Sequence, residues 1–219
     1  MSNIILKADQ IVKTYGDLKV LKGASLAVNE GEIISIVGAS GAGKTTLLQI
    51  LGTLELPDSG ILSIKNTNTT ALSDKQLSAF RNQHIGFVFQ FHQLLPEFTA
   101  LENICIPAYI KGLSKTAAEK KATELLKLMN LNNRSNHKPS QLSGGEQQRI
   151  AIARALVNSP EIIFADEPSG NLDSKSSEDL HQLFFKLRDD MGTSFVIVTH
   201  NNELADMTDR KLRIVDGSF

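Results

Sequence analysis

No run of this 219-residue sequence approaches the roughly 18 consecutive apolar residues that a membrane-crossing helix needs. The longest, such as Ile162 to Ala165 and Phe195 to Val198, are strand-sized. Met1 to Lys7 has neither a basic start nor a long apolar segment, so no secretory leader is expected. Cysteine is almost missing: Cys105 stands alone, which excludes an internal disulfide and fits a reducing, intracellular setting. Its expected role is that of a small, part-buried apolar side chain. An excess of either charge is missing too. Lys and Arg number 23 against 24 Asp and Glu, a net charge of −1, and no basic block occurs. A chain that coats nucleic acid carries a positive excess, so no nucleic-acid partner is expected. What remains is 41% hydrophobic and 21% charged residues, which suits a folded α/β domain and excludes disorder for most of the length.

The chain begins with strand-like runs at Ile4–Ala8, Leu18–Leu21 and Ala24–Val28. The turn Asn29-Glu30-Gly31 feeds Glu32–Val37, a strand apolar enough to be buried on both faces. A helix is predicted over Thr46–Leu54 and, after the turn Pro57-Asp58-Ser59-Gly60, a strand over Ile61–Lys65. The middle is helical: Ser73 with Gln76, Thr99 with Glu102 and Thr116 with Glu119 each have the spacing of a capping box. His84–Gln90 reads as a strand ending in a glutamine. The last third alternates again, with strands at Glu161–Asp166, Ser194–Thr199 and Lys211–Val215. Between the first two lies a helix striped by Leu180, Leu183, Phe184, Leu187 and Met191 and closed by Gly192. This order predicts an α/β fold on a mainly parallel sheet, a single unit over 1–219 with a helical block inserted within about 91–159.

Gly38-Ala39-Ser40-Gly41-Ala42-Gly43-Lys44-Thr45 matches the phosphate-loop pattern, with a buried strand before it and a helix, from Thr46, after it. Glycines let backbone N–H groups curl around phosphate oxygens at the positive end of the helix. Lys44 supplies charge to the terminal phosphates, and the Thr45 hydroxyl suits Mg²⁺. The apolar strand Ile162–Ala165 ends in Asp166 and Glu167. Asp166 is expected beside the metal and Glu167 where it takes a proton from an attacking water. The pair predicts binding and hydrolysis of a nucleoside triphosphate.

A second anion-binding helix start is predicted at Leu142-Ser143-Gly144-Gly145-Glu146. There Ser143 caps, Glu146 completes the box, and two glycines leave the first amides uncovered. With this stretch the sequence resembles the ATPase subunits of ABC transporters over essentially its whole length. The resemblance implies a P-loop cassette with an N-terminal antiparallel β subdomain and an inserted helical subdomain. It implies Tyr15 as the adenine-stacking aromatic, Gln90 as a ligand to Mg²⁺ and the attacking water, and His200 as the contact to the γ-phosphate. Ser169-Gly170-Asn171-Leu172-Asp173 matches the loop that crosses to a second subunit. It also implies a head-to-tail homodimer in which ATP on one chain is covered by Ser143, Gly144 and Gly145 of the other, with Asp173 contributing in trans.

Phe91-His92-Gln93-Leu94-Leu95-Pro96-Glu97-Phe98-Thr99-Ala100-Leu101-Glu102-Asn103 narrows the resemblance to the lipoprotein-releasing branch, as does Asn136–Gln141. Macrolide-type exporters and a cell-division ATPase, an ATP-switched regulatory module, share Leu94-Leu95-Pro96 and Thr99–Asn103; Phe91-His92 favours lipoprotein release. That branch implies permease subunits contacted through Gln90–Asn103, a lipoprotein substrate handled by those subunits, and a peripheral place on the cytoplasmic face of the inner membrane. Ser169 and Thr45 depart from the usual threonine and serine without removing a hydroxyl. His84 and His181 are read as structural.

Overall fold

The computed structural model describes residues 3–219. In chain order the first half holds β1 (Ile4–Tyr15), β2 (Leu18–Asn29), β3 (Ile33–Val37), α1 (Lys44–Leu51), β4 (Ser59–Ile64), β5 (Thr67–Asn68), α2 (Asp74–His84) and β6 (Ile85–Phe89). Helices α3 (Ala100–Ile110), α4 (Lys115–Leu128) and α5 (Gly144–Leu156) follow. The chain then runs through β7 (Ile162–Asp166), α6 (Ser174–Met191), β8 (Ser194–Val198), α7 (Asn202–Met207) and β9 (Arg210–Arg213).

Two sheets form. One is antiparallel, in the order β2-β1-β4-β5; the other is parallel, in the order β6-β7-β8-β3-β9. The parallel strands are near-continuous apolar runs because both faces are covered, and the two-residue period divides them between two cores. Ile34, Ile36, Phe164, Val196 and Val198 face α1 and the antiparallel sheet. Ile33, Ile163, Ala165, Phe195 and Ile197 face the layer built from α3 to α6, where Phe184 meets Phe195 at 5.4 Å between ring centres. No described helix is long and apolar enough to cross a membrane.

Several local expectations change. β1 and β2 are each 12 residues long, not short runs. Their pairing shifts register between Ala8 and Ile11, where Gln10 adopts φ +51°, and such a bulge breaks the alternation by which a strand is read. Helix α1 starts at Lys44, inside the glycine loop, with Gly43 at φ +97° before it. The third capping box is not formed: Ser114 caps α4, accepting from the Ala117 N–H at 3.4 Å, and Thr116 lies inside the helix. Gly112, at φ +89°, reverses the chain after α3 and leaves Ser114 extended at the helix mouth. Thr99 and Ser143 do cap α3 and α5, each with its glutamate folded back on the cap N–H at 2.8 Å. Cys105, expected to be part-buried, is fully enclosed under α3.

Helix α5 lies directly on β6. A Cβ built on Gly86 would sit 2.8 Å from the Ala155 carbonyl oxygen, closer than packed atoms approach. Gly86→Val should therefore force α5 off the sheet and destabilise the fold by about 1–3 kcal/mol, the range seen for overpacked cores. A urea titration of the variant would show a lower midpoint at unchanged slope; an unshifted midpoint would mean that the interface has slack.

Candidate nucleotide site

Parallel strands deliver their C-terminal ends to one edge, and four of them do so here. The loop after β3 runs from Gly38 to Thr45. Gly41 and Gly43 sit at φ +78° and +97°, and at Gly38 a Cβ would stand 2.5 Å from the Ile214 carbonyl oxygen. These positions demand glycine, because a side chain would be strained at the first two and would collide at the third. The Lys44 ammonium turns back over the loop and donates to the carbonyls of Gly38 and Ala39, both at 2.9 Å.

Asp166 and Glu167 close β7. Burial pushes the Asp166 carboxyl up, against the opposing pull of a hydrogen bond from Thr45 and the charge of Lys44. Glu167 occupies left-handed backbone at φ +45°, a strained conformation for a side chain of this size. Its N–H donates to Val198 at 2.9 Å. Its carboxylate meets the exposed ring of His200 at Nδ1, 2.8 Å away, and accepts from the His200 N–H at 3.1 Å. Gln90 follows β6. Its amide donates to Asn171 Oδ1 at 3.2 Å, and Asn171 Nδ2 returns a bond of 3.2 Å to the Gln90 carbonyl.

Tyr15 stands at the end of β1 with its ring half exposed. Its hydroxyl donates to Glu55, while the Lys13 ammonium lies 5.4 Å from the ring centre. The Glu55 contact, with burial, holds the phenol above its ordinary range. Glu55 escaped the reading of these elements because nothing in its spacing marks it; Asn171 falls by resemblance in the loop that crosses to a second subunit, and only its tie to Gln90 is new.

Ser143 and Gly145 line a hollow with Arg149, Leu172 and Ser176, which shares no lining residue with the hollow beside Gly38, Ala39, Thr199 and His200; a third hollow, lined by Glu167, Gly170, Leu172 and His200, shares one residue with each. Asp173 is engaged within its own chain as the N-cap of α6, accepting from the Ser176 N–H at 3.0 Å and the Ser176 hydroxyl at 2.7 Å. His181, on that helix, is buried against the Ser169 hydroxyl at 3.1 Å, so this histidine touches the segment that follows Glu167.

The ABC transporter family profile matches residues 21–170, from β2 through the loop after β7. The chain belongs to the ABC transporter family. It is 60% identical to the lipoprotein-releasing system ATP-binding protein LolD of Bacteroides thetaiotaomicron over 98% of this chain and 99% of that one. Against the protein of the same name from Cytophaga hutchinsonii identity is again 60%, with 97% of each chain covered. Among solved structures it is similar to the dimeric ATP-binding cassette MJ0796 in a post-hydrolysis state with ADP and Pi, at 44% identity and a TM-score of 0.89, over 97% of this chain and 95% of that one. The cbiO1 protein of Clostridium perfringens, part of the ABC transporter complex cbiONQ, superposes at a TM-score of 0.90 and 27% identity, over 99% of this chain and 86% of that one. The family accounts for the conjunction of a phosphate loop, a doubly acidic strand end and a second glycine-opened helix start in one ABC ATPase cassette.

That second start carries an electrostatic signature. An ion pair from Arg134 at 2.8 Å and hydrogen bonds from Ser143 hold the Glu146 carboxyl below its ordinary 4.5. A depressed carboxylate contributes stability that is present above its unfolded value and lost as pH falls through the folded one. Glu146→Gln should therefore cost less than about 1 kcal/mol at pH 7, because the pair is largely solvated. The difference from the parent should begin to shrink as pH falls through about 4.5 and vanish only below the lowered folded-state value, as urea denaturation at a series of pH values would show.

Proposed function

We propose that the chain hydrolyses ATP within a head-to-tail homodimer and passes the resulting motion to membrane subunits that release lipoproteins from the cytoplasmic membrane toward the outer membrane. One observation carries the reading. The phosphate loop, Asp166, Glu167 and His200 converge at one edge, while the Ser143–Gly145 helix start opens on a different hollow with its leading amides uncovered. A triphosphate on the loop then has one anion site beneath it and needs a second chain to offer the other.

Gly38, Ala39, Ser40, Gly41, Ala42 and Gly43 supply amides to the phosphates, with Thr45 and Thr46 at the helix mouth. Lys44 exchanges its two loop carbonyls for phosphate oxygens, and Tyr15, steadied by Glu55, offers its ring to the base. Glu167 takes the proton of the attacking water, held in register by His200. His200 lies where it reaches the γ-phosphate. Thr45, Asp166 and Gln90 form an oxygen donor set suited to a hard cation. When bound, Mg²⁺ supplies charge neutralisation at the phosphates. Ser143, Gly144 and Gly145 cover the nucleotide of the second chain, with Asp173 at the same contact.

The membrane subunits are read onto a groove of about 470 Å³ between β6 and the helical layer, lined by Phe87, Phe89, Pro107, Ile110, Arg81 and Arg154. Phe91 and Ile110 expose 75% and 71% of their surface beside it, apolar area that favours a protein partner. Arg154 donates to the carbonyls of His92 and Gln93 at 2.8 and 2.6 Å, fixing two consecutive left-handed residues right after Gln90. A cytoplasmic segment of a permease subunit in this groove touches Gln90–Asn103 and so reaches the nucleotide edge. The lipoprotein itself is handled by those subunits. The chain accordingly works as a peripheral protein on the cytoplasmic face of the inner membrane.

Glu167→Gln should keep ATP binding while lowering turnover by about 10²- to 10⁴-fold, the contribution of a general base, and should accumulate an ATP-bound dimer in sedimentation analysis. Unchanged turnover would remove Glu167 from the base role. Ile110→Glu should sharply reduce co-purification of the permease subunits while leaving ATP affinity of the free chain intact. Undiminished recovery would move the docking site elsewhere.

A further inference from the structure

Gln148 lies on α5, about one helical turn beyond Gly144 and Gly145, and is wholly enclosed, with no exposed surface. Its side-chain amide donates to the Pro168 carbonyl at 2.7 Å. Its Oε1 has no hydrogen-bond partner among the described residues. A half-satisfied buried amide is a poor choice for packing alone, since an apolar side chain of similar volume avoids the desolvation cost. The one bond it does make falls on the residue directly after Glu167.

That placement matters because Glu167 is in strained left-handed backbone at φ +45°. Such a conformation persists only where surrounding contacts over-determine it. On the near side the Glu167 N–H is tied to Val198 at 2.9 Å, and the Glu167 carbonyl accepts from the Gly170 N–H at 3.0 Å. Pro168 has no N–H to offer, so its carbonyl is the only backbone hydrogen-bonding group that this residue itself contributes. From the opposite side His181 of α6 holds the Ser169 hydroxyl at 3.1 Å. The segment is thus pinned between two helices, and the pin from α5 is Gln148.

We infer that Gln148 is a positioning residue that sets the pose of the Glu167 carboxylate from the helix whose glycine-opened start would cover the second chain's nucleotide. The inference rests on Glu167 acting as the base. Because the bond joins a rigid helix to the base-bearing turn, displacement of the α5 start moves the Pro168 peptide with it. Gln148 is wholly enclosed and presents no surface to a ligand, so its loss acts on the chemical step and leaves nucleotide binding alone.

The test is a double-mutant cycle on the assembled transporter complex, reading steady-state hydrolysis and nucleotide affinity, with thermal melts as the fold control. Gln148→Met, which removes the donor at similar volume, should lower kcat about tenfold or more with KM for ATP within twofold. In a Glu167→Gln background the same change should leave the residual rate within about twofold, because the group being positioned is gone. Gln148→Glu keeps the shape and turns the donor into an acceptor; it should reproduce the kcat loss and serves if the Met variant does not fold. Equal losses in both backgrounds, a loss confined to KM, or unchanged turnover in a folded variant would overturn the positioning role. Full turnover in Glu167→Gln alone would instead overturn the base assignment beneath it.

Discussion

Parallel pairing of β6, β7, β8 and β3 is the constraint on which the site depends. Strands running the same way in register finish at the same edge. The residues that follow them, Gln90, Asp166 with Glu167, His200 and the loop from Gly38, therefore arrive together although they span more than half the chain. Ligands in open α/β sheets bind outside the carboxyl ends of the strands for this reason. The apolar faces above and below fix the register: a one-residue slip would exchange Ile163, Ala165, Phe195 and Ile197 with the set that faces the other core.

Helix α5 belongs to two neighbourhoods at once. Its start offers uncovered amides, its middle holds Pro168 through Gln148, and its last turn packs on β6 near Gly86 through Ala155 and reaches the groove through Arg154. Short side-chain bonds to main-chain carbonyls make the links through Gln148 and Arg154. The carbonyls of His92, Gln93 and Pro168 are the acceptors, so the links report backbone position directly.

The strand ends and both helix starts were legible in the sequence because each needs a residue type that little else demands at that spacing: glycines before a lysine, paired carboxylates after an apolar run, serine ahead of two glycines. β1 and β2 were legible only in part, since a bulge at Gln10 scrambles the alternation that marks a strand. Thr116 and Glu119 had capping spacing, but the reversal at Gly112 put Ser114 at the helix mouth first. The contacts of Glu55, Asn171 and Gln148 were invisible for a different reason. Their meaning lies in partners 40, 81 and 20 residues away, and on a helix or loop taken alone each is an ordinary polar residue. His181 was read as structural; it is buried, and its contact with Ser169 places that structure beside the base.

Arg154 has one further consequence. Its half-buried cation meets main-chain oxygens, with no carboxylate in ion-pair reach among the described residues, and burial lowers the affinity of its guanidinium for the proton. Peripheral pairs such as Lys22 with Asp216 sit in solvent, where mobile ions at physiological strength weaken them over about 8 Å. The turn at His92 and Gln93 is held instead by two bonds from one cation to uncharged carbonyls, so its shape hangs on no exposed ion pair that osmotic swings would loosen.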